Sequence, residues 1–462
     1  MLIKKSSLVL LLFIFLGYHL SAQQSLSLKQ AVQLAVENYG TIKAKANYAE
    51  ASKASVVQSR RDYLPNINFS AQQDYGTING QNAPLYGFGG LNTASSGPAL
   101  DAQNWNAAFG SLYLTNVNWD FFSFGRAKEK IKTAQAAATR DNDDWQQEIF
   151  KQEIKVAAAY LNLIAAQQLT LSYEKNLERA DTFRYIVTTR AVNGLIAGVD
   201  SSQANAERSG ARIALTKARD MEQEQSNQLA QLLGIPATDF VLDSFFVSRV
   251  PAFSSDSVNT DNHPVLQWYK SRIAVSDEQA KYFKTQYFPA FSLVGILQTR
   301  GSGFGSGYGT DQTDFTQGYW DGTKPTKSNY LFGIGVTWNI TTPFRLSQQV
   351  KSQKLISKGL QSEYELADQQ IKAQLQLSLS KIKNALDNYN EVPAQVKAAS
   401  DAYLQKTVLY KNGLTNLVDV TQALYVLIRA ETDRDIAYSN VWQALLLKAA
   451  AAGDFSLFEN QL

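Results

Sequence analysis

One turn-forming segment occurs twice in the chain, and this repetition limits the fold more than any other feature of the sequence. "NGLIAGVDSSQ" begins at Asn193, and "NGLTNLVDVTQ" begins 219 positions later (412 − 193) at Asn412. At that shift, 117–234 lies over 336–453 without a gap, and "YLP" at 63–65 lies over "YFP" at 287–289 at a shift of 224 (287 − 63). Two copies are too few for a solenoid, so the sequence predicts two pseudo-equivalent halves of one architecture.

Composition excludes several classes of function. The chain has no cysteine, which excludes disulfides and thiolate metal sites, and its formal charge of +3 is too small to favour nucleic acid as a partner. Its only histidines, His19 and His263, lie beside no plausible nucleophile or metal-ligating cluster. We therefore expect no enzyme, no cofactor and no metal site.

The N-terminus has the pattern of a secretory signal peptide, predicted over 1–22. Lys4 and Lys5 precede an apolar run from Leu8 to Leu16, and Ala22 offers a cleavage site. A membrane anchor is the alternative, but the run is too short to span a bilayer as a helix. Since no second long apolar run follows, the exported chain is either soluble or crosses a membrane with strands.

Each half begins with a helical segment that stops at a proline, Pro65 or Pro289. The period of the sequence then changes to two. Apolar Ile67, Phe69 and Ala71 alternate with polar residues, which predicts a strand. The predicted strand pairs are 66–76 with 107–124 and 290–299 with 330–342.

A very long helical hairpin follows each strand pair, predicted over 126–233 and 345–452. Arg126 to Asn193 contains no glycine and no proline, and a helix of that length would reach about 100 Å. The second copy has a coiled-coil spacing of apolar residues. It is interrupted at Gly359 and Pro393, and we expect a kink near Pro393. The residues of that seam are Leu375, Leu379, Ile382, Leu386 and Tyr389.

These elements predict a mostly helical α+β membrane protein with an internal two-fold repeat. The first repeat covers 23–234 and the second 263–453; 235–262 joins them, and 454–462 forms a tail. Four strands with one apolar face cannot bury themselves and leave two open edges. The smallest membrane barrels need about eight strands, so copies must join: two would give eight strands and three would give twelve.

Two tryptophans support strands that contact lipid. Trp119 and Trp338 occupy the same place in the two halves, near the strand end that meets the long helix. Tryptophan at an interface forms the aromatic belt of membrane barrels. The alternative is that both fill an ordinary sheet core, as they would in a periplasmic structural coiled-coil protein without a pore.

The repeated turn itself predicts two capped hairpins. Gly194 and Gly413 end long helices, where glycine adopts the left-handed conformation. Asp200 and Asp419 are expected to cap the return helices. Since Gln203 and Gln422 stand three residues later, each pair has the spacing of a capping box.

The duplication, the strand pairs between long helices and the repeated Gly-Leu…Val-Asp turns together resemble the TolC-like outer membrane efflux and secretion channel family over essentially the whole mature chain. The resemblance implies a homotrimer with one shared twelve-stranded barrel in the outer membrane and a hollow α-barrel across the periplasm. Segment 235–262 and the tail would form a belt around the α-barrel. The residues at the strand–helix junctions would be Pro65, Gly125, Pro289 and Pro343.

The resemblance also implies a function, the passive exit duct of a tripartite efflux pump or a type I secretion system. The partners would be a periplasmic adaptor protein and an inner-membrane pump or ABC exporter, with outer membrane lipid around the strands. Gly194, Leu195, Gly413 and Leu414 would contact the adaptor at the periplasmic tip.

The same resemblance places the pore entrance beside that tip. Asp200 and Asp419 would form rings of charge there, with Gln203 and Gln422 nearby, and Tyr410 would bond across to Asp200 in a neighbouring helix pair. Two positions depart from the family pattern: Gln422 stands where a second aspartate is frequent, and Thr415 where a basic residue is.

Overall fold

The computed structural model describes residues 25–80, 97–252 and 259–461. The predicted signal peptide and most of the first long loop lie outside these residues. The chain divides into two compact units. We call Met1–Ala51, Ala138–Ile273 and Lys358–Leu462 the helical unit, and Ser52–Ala137 and Ala274–Ser357 the sheet unit.

The elements follow the predicted order in both halves. Along the described residues they are α1 (Leu28–Asn38), α2 (Gly40–Arg61), β1 (Asn66–Thr77), β2 (Ala107–Phe122), α3 (Arg126–Val192), α4 (Gly198–Leu233), α5 (Phe245–Ser248), α6 (Pro264–Thr285), β3 (Ala290–Ser302), α7 (Tyr319–Thr323), β4 (Lys327–Thr337), α8 (Thr342–Lys411), α9 (Leu417–Ala452) and α10 (Ser456–Glu459). The predicted fold class, mostly long helices with four strands, is confirmed.

The four strands form one antiparallel sheet in the order β1-β2-β3-β4. Its register sorts the side chains onto two faces. The apolar face carries residues such as Ile67, Phe69, Val117, Leu293, Leu297, Phe332 and Ile334. The opposite face, called here the polar face, carries Asn68, Ser70, Gln72, Asn116 and Asn118 with the charged Asp74, Arg300 and Lys327, and it also includes the apolar Leu114, Val294, Ile296 and Leu331.

No described residue of the sheet unit covers the apolar face. Phe69 is 71% exposed, Phe332 is 75% exposed and Ile334 is 70% exposed. β1 and β4 each pair on one side only, so their outer edges present unpaired backbone groups. Exposed apolar surface of this kind marks a protein or membrane contact.

The long helices carry no internal break. α8 runs from Thr342 to Lys411 through both Gly359 and Pro393, so neither residue ends the helix, and the kink expected near Pro393 stays a prediction. Within the described residues, no helix combines the length and the apolar character needed to cross a membrane.

The coiled-coil seam of α8 has the expected spacing but not all of the expected residues. Ile382 is buried and packs with Ala385, Val441 and Ala444, with Leu386 and Tyr389 beside them. Leu379 is 45% exposed, which corrects its assignment to the seam. The buried positions instead include Ile371 and Ser378.

The largest core of the helical unit joins the two repeats. Fully buried Tyr160 and Trp442 lie in it with Phe246 and Phe458. Phe246 belongs to the segment that links the repeats and Phe458 to the C-terminal tail. The Tyr160 hydroxyl donates to the Leu26 carbonyl at 2.7 Å, and burial raises the pKa of Tyr160 to about 12. The linking segment and the tail are therefore integral to this core.

Candidate functional site

The two repeated turns have the same backbone conformation. Gly194 ends α3 with φ +70°, and Gly413 ends α8 with φ +74°. The amide of Leu195 donates to the Arg190 carbonyl, and the amide of Leu414 donates to the Leu409 carbonyl, both at 2.9 Å. This six-to-one bond closes each helix in a Schellman motif, so the predicted left-handed glycines are present in both turns.

The predicted capping boxes are wrong. The residue that caps α4 is Ala197, which has no side-chain acceptor. The residue that caps α9 is Asn416, whose side-chain oxygen accepts from the Asp419 amide at 2.9 Å. Asp200 and Asp419 therefore occupy the third helical position rather than the cap, because each return helix begins earlier than the sequence suggests.

The Asp419 carboxylate is held within its own turn. One of its oxygens accepts from Lys406 Nζ at 2.9 Å and from Thr415 Oγ1 at 2.7 Å. The hydrogen bond from Lys406, followed by that from Thr415, lowers the pKa of Asp419. Asp419 therefore remains ionised, and Lys406 compensates its charge.

The Asp200 carboxylate differs from its counterpart. Among the described residues, no hydrogen bond or ion pair joins the Asp200 side chain to another group, and it is half-buried. The first turn thus carries an uncompensated negative charge, whereas the charge of the second turn is paired.

A small apolar cluster packs the two turns against each other. Phe183, Val187 and Ala204 from the first repeat meet Tyr410 and Leu417 from the second. The rings of Phe183 and Tyr410 are 5.6 Å apart. The structure therefore brings together two segments that lie more than two hundred residues apart in the chain.

Arg190 ties the first turn to the second. Its guanidinium donates to the carbonyls of Tyr410 at 2.7 Å and Lys411 at 3.1 Å. It also lies over the Tyr410 ring, 5.4 Å from the centroid. These carbonyls belong to the C-terminal end of α8, where a positive charge is stabilising.

The predicted bond between Tyr410 and Asp200 is absent. The Tyr410 hydroxyl is buried and has no hydrogen-bond partner among the described residues. Burial raises the pKa of Tyr410, and the Asp200 charge raises it further. The two groups are thus electrostatic neighbours that do not bond.

Apolar side chains fringe both turns. Leu195 is 66% exposed and Leu414 is 72% exposed. Val192, Val199 and Val418 beside them are exposed to a similar degree. Gln203 and Gln422 are also exposed, one helical turn beyond the aspartates.

The paired tryptophans make the same contact in both halves of the sheet unit. Trp119 Nε1 donates to the Tyr63 carbonyl at 2.7 Å, and Trp338 Nε1 donates to the Tyr287 carbonyl at 3.1 Å. Each acceptor lies two residues before a junction proline, Pro65 or Pro289. Trp338 follows the last residue of β4, whereas Trp119 lies within β2.

The other two junctions differ in their backbone. Gly125 has φ +85° and follows Phe124, which has φ +50°. Pro343 lies in the first turn of α8, where its fixed φ suits the helix and its missing amide proton costs little.

Sequence reasoning missed Arg190, Lys406 and Asn416. One signal was available for Asn416, because it stands directly before the periodic residues of α9 and asparagine is a preferred cap. Arg190 gave a weaker signal, a basic residue in the last turn of a helix. No spacing rule connects Lys406 to Asp419. No cluster of three metal-ligating side chains occurs in the described part of the chain.

Comparison with known proteins identifies the class of protein to which this fold belongs. The family model described as "Outer membrane efflux protein" matches residues 31–235 and 259–444, so both repeats are covered. The chain belongs to this family, which is a family of channels and transport proteins. No curated protein matches the sequence significantly.

Solved structures share the fold at low sequence identity. CusC superposes with a TM-score of 0.75 at 13% identity, covering 94% of this chain and 96% of that chain. VceC from Vibrio cholerae gives 0.73 at 16% identity, covering 92% and 96%. The CmeC outer membrane channel of Campylobacter jejuni gives 0.73 at 16% identity, covering 92% and 85%. Proteins of this family are trimeric and work with efflux pumps.

Proposed function

We propose that three copies of this chain close one twelve-stranded barrel in the outer membrane and act as the passive exit duct of an efflux pump. The single observation that carries the proposal is the family match over both repeats of a chain whose sheet leaves its apolar face uncovered. The apolar face would meet lipid, and the polar face with Asp74, Arg300 and Lys327 would line the lumen.

Closure by oligomerisation follows from the strand count. The described sheet has four strands, and a membrane barrel needs about eight or more so that no edge stays open to lipid. Three copies supply twelve strands and pair every edge. Trp119 and Trp338 would then form the aromatic belt at the periplasmic side of the membrane.

The two turns would form the periplasmic tip and contact an adaptor protein. Gly194, Leu195, Gly413 and Leu414 are the residues we assign to this contact. Their support is the exposed apolar fringe, since Leu195 and Leu414 are each about two-thirds exposed or more. An inner-membrane pump or ABC exporter would complete the assembly.

The pore entrance would lie beside this tip. Asp200 and Asp419 would each form a ring of three carboxylates, with Gln203, Gln422 and Tyr410 close by. Because Lys406 pairs with Asp419, Asp200 would contribute most of the negative potential. A negative ring attracts cations and disfavours anions.

Detergent extraction and planar bilayers test the proposal together. We expect a trimer by native mass spectrometry and discrete ohmic conductance steps after insertion into the bilayer. A monomer that stays soluble without detergent and gives no conductance would overturn the proposal. That outcome would favour a periplasmic structural protein without a pore.

A further inference from the structure

The internal repeat relates not only the residues of the two halves but also the pairing of their strands. Asn66 lies opposite Asn118 in the first hairpin. Moving these residues by the two repeat shifts, 224 and 219, gives Ala290 and Thr337, which lie opposite each other in the second hairpin. Ser70 opposite Leu114 becomes Val294 opposite Gly333 in the same way. The two shifts therefore reproduce an observed register without adjustment.

The same two shifts hold outside the ladder. They convert the bond from Trp119 to the Tyr63 carbonyl into the bond from Trp338 to the Tyr287 carbonyl. The segment before the first strand of each hairpin therefore has the same position relative to the second strand in both halves. This agreement justifies applying the shifts to the remaining strand pair, β2 with β3.

β2 pairs with β3 so that Trp119 lies opposite Leu293 and Val117 lies opposite Gly295. The repeat counterpart of β2 is β4, and the counterpart of β3 is β1. Within one chain β4 and β1 lie at opposite edges of the sheet, so they meet only between copies. Shifting the observed pairs gives Trp338 with Phe69 and Val336 with Ala71.

We propose that β4 of one copy pairs antiparallel with β1 of the next copy, with Trp338 opposite Phe69, Val336 opposite Ala71 and Gly335 opposite Gln72. The partner is a second copy of this chain, and the inference rests on the trimer of the proposed function. What it adds is the register of the interface, which trimer formation alone leaves open.

The two faces of the sheet provide an independent check. A register wrong by one residue would set the apolar side chains of β4 beside the polar side chains of β1. The proposed register instead places Val336 and Ile334 on the same face as Ile67 and Phe69 of the next copy. The apolar face therefore continues across the interface, and the repeat shifts alone do not require this.

The exposed edges also favour this pairing. Val336 is 59% exposed and Phe69 is 71% exposed in the single chain. Pairing would satisfy the open backbone groups of both edges and would bring Trp338 against an aromatic partner, a favourable cross-strand combination.

Cysteine cross-linking tests the register directly, because the chain contains no cysteine. A disulfide requires the two Cα atoms to lie within about 7 Å, and a slip of two residues moves a partner about 7 Å along the strand. The matched variants are Val336→Cys with Ala71→Cys and Gly335→Cys with Gln72→Cys. These pairs lie on opposite faces and so sample both kinds of antiparallel position. No side-chain clash opposes a Cβ at Gly335.

After mild oxidation of the detergent-extracted protein, both matched variants should run as covalent trimers on a non-reducing gel. The slipped variants, Val336→Cys with Phe69→Cys and Val336→Cys with Gln73→Cys, should remain at least about tenfold less cross-linked, since their Cα atoms exceed the disulfide range. Thr115→Cys with Leu297→Cys is an observed pair within one chain. Its disulfide should form inside the chain, so this control should still run as a monomer on the gel.

The possible failures are distinguishable. If native mass spectrometry of the unmodified protein shows no trimer, the proposed function fails. If the trimer is present but a slipped variant cross-links better than the matched ones, or no variant does, the register is overturned and the proposed function stands.

Discussion

The two turns of the helical unit share one backbone but differ in almost every polar contact. Both end in a left-handed glycine, and both close with the same backbone bond. In the second turn, however, Asn416 caps the return helix and Lys406 pairs with Asp419. In the first turn the cap is Ala197, and the Asp200 side chain has no hydrogen-bond partner among the described residues.

The repeat shift shows how this difference arose in the side chains. At 219 positions earlier, the three residues that surround Asp419 become apolar. The pairs are Lys406 with Val187, Thr415 with Ile196, and Asn416 with Ala197. Val187 and Ile196 instead pack in the cluster beneath the turns. The two turns therefore share a backbone conformation, while these three positions are polar in the second turn and apolar in the first.

The comparison also shows that stability and charge are divided between the turns. In the second turn Asn416 and Lys406 bond to Asp419, and Arg190 of the first repeat donates to the Tyr410 carbonyl. The first turn keeps the uncompensated carboxylate. We therefore expect mutations in the two turns to differ in kind, with stability most sensitive around Arg190 and Tyr410 and ion selectivity most sensitive at Asp200.

The largest effect is expected for Arg190→Gln. It removes charge-assisted bonds to two carbonyls and the contact with the Tyr410 ring. Such bonds contribute about 2 kcal/mol, so hydrogen exchange of amides 405–416 should accelerate roughly 30-fold.

Arg212→Gln is the matched control, because Arg212 is exposed on α4. It should leave the exchange of these amides unchanged. Equal exchange in the Arg190→Gln variant and the control would show that the first turn does not hold the second.

Substitutions at the two cap residues should change the stability of the return helices in opposite directions. Asn416→Ala removes the side-chain acceptor for the Asp419 amide and should destabilise the start of α9 by about 1 kcal/mol. Ala197→Asn supplies the acceptor that the first turn lacks and should stabilise the start of α4 by a similar amount.

Amide hydrogen exchange measures both changes. At about 1 kcal/mol, exchange of 417–421 should become about fivefold faster in Asn416→Ala, and exchange of 198–202 about fivefold slower in Ala197→Asn. If Ala197→Asn did not slow exchange in 198–202, the missing cap would not be what limits the stability of the start of α4.

The elements were predictable from the sequence because they depend on local periodicity. The period-two segments gave β1 within one residue of its observed end, and the glycine- and proline-free run gave α3 nearly residue for residue. The strand predicted over 330–342 was wrong at both ends, since β4 covers Lys327–Thr337 and α8 already begins at Thr342. Pro393 lies inside α8 between the buried residues Val392 and Ala399, and the local sequence does not indicate that the helix continues through it.

The contacts of the two repeated turns were less predictable because they depend on tertiary structure. The capping rule selected Asp200 and Asp419 from their spacing to a glutamine, although Asn416 and Ala197 begin the helices. Nothing in the local sequence indicates that Arg190 reaches carbonyls of the second repeat. The repeat predicted that the two turns share a backbone conformation and that the two hairpins share a strand register. It did not predict which side-chain contacts differ between the two turns.

Ion selectivity should separate the two aspartates. Asp200→Asn removes a ring of uncompensated charges. A ring worth about RT per unit charge favours cations and disfavours anions about threefold each, so the cation-to-anion permeability ratio should change about sevenfold. Asp419→Asn should have a smaller effect because Lys406 already compensates that charge. Lys406→Gln should increase cation preference by exposing Asp419.

Reversal potentials in planar bilayers under a salt gradient measure these differences. They should shrink at high salt, where charges are screened within about 3 Å. A larger effect of Asp419→Asn than of Asp200→Asn would contradict the division of charge between the turns.

The smallest effect is expected for Tyr410→Phe. The hydroxyl is buried without a partner, and removing an unsatisfied buried group is neutral or stabilising, within about 1 kcal/mol. The ring keeps its contacts with Phe183 and Arg190, so the cluster beneath the turns remains intact. Hydrogen exchange of 405–416, conductance and selectivity should all match the parent protein. If Tyr410→Phe opened the tip or increased conductance while Asp200→Asn did the same, the two residues would have to bond in the working channel, and the independence of the two turns would be refuted.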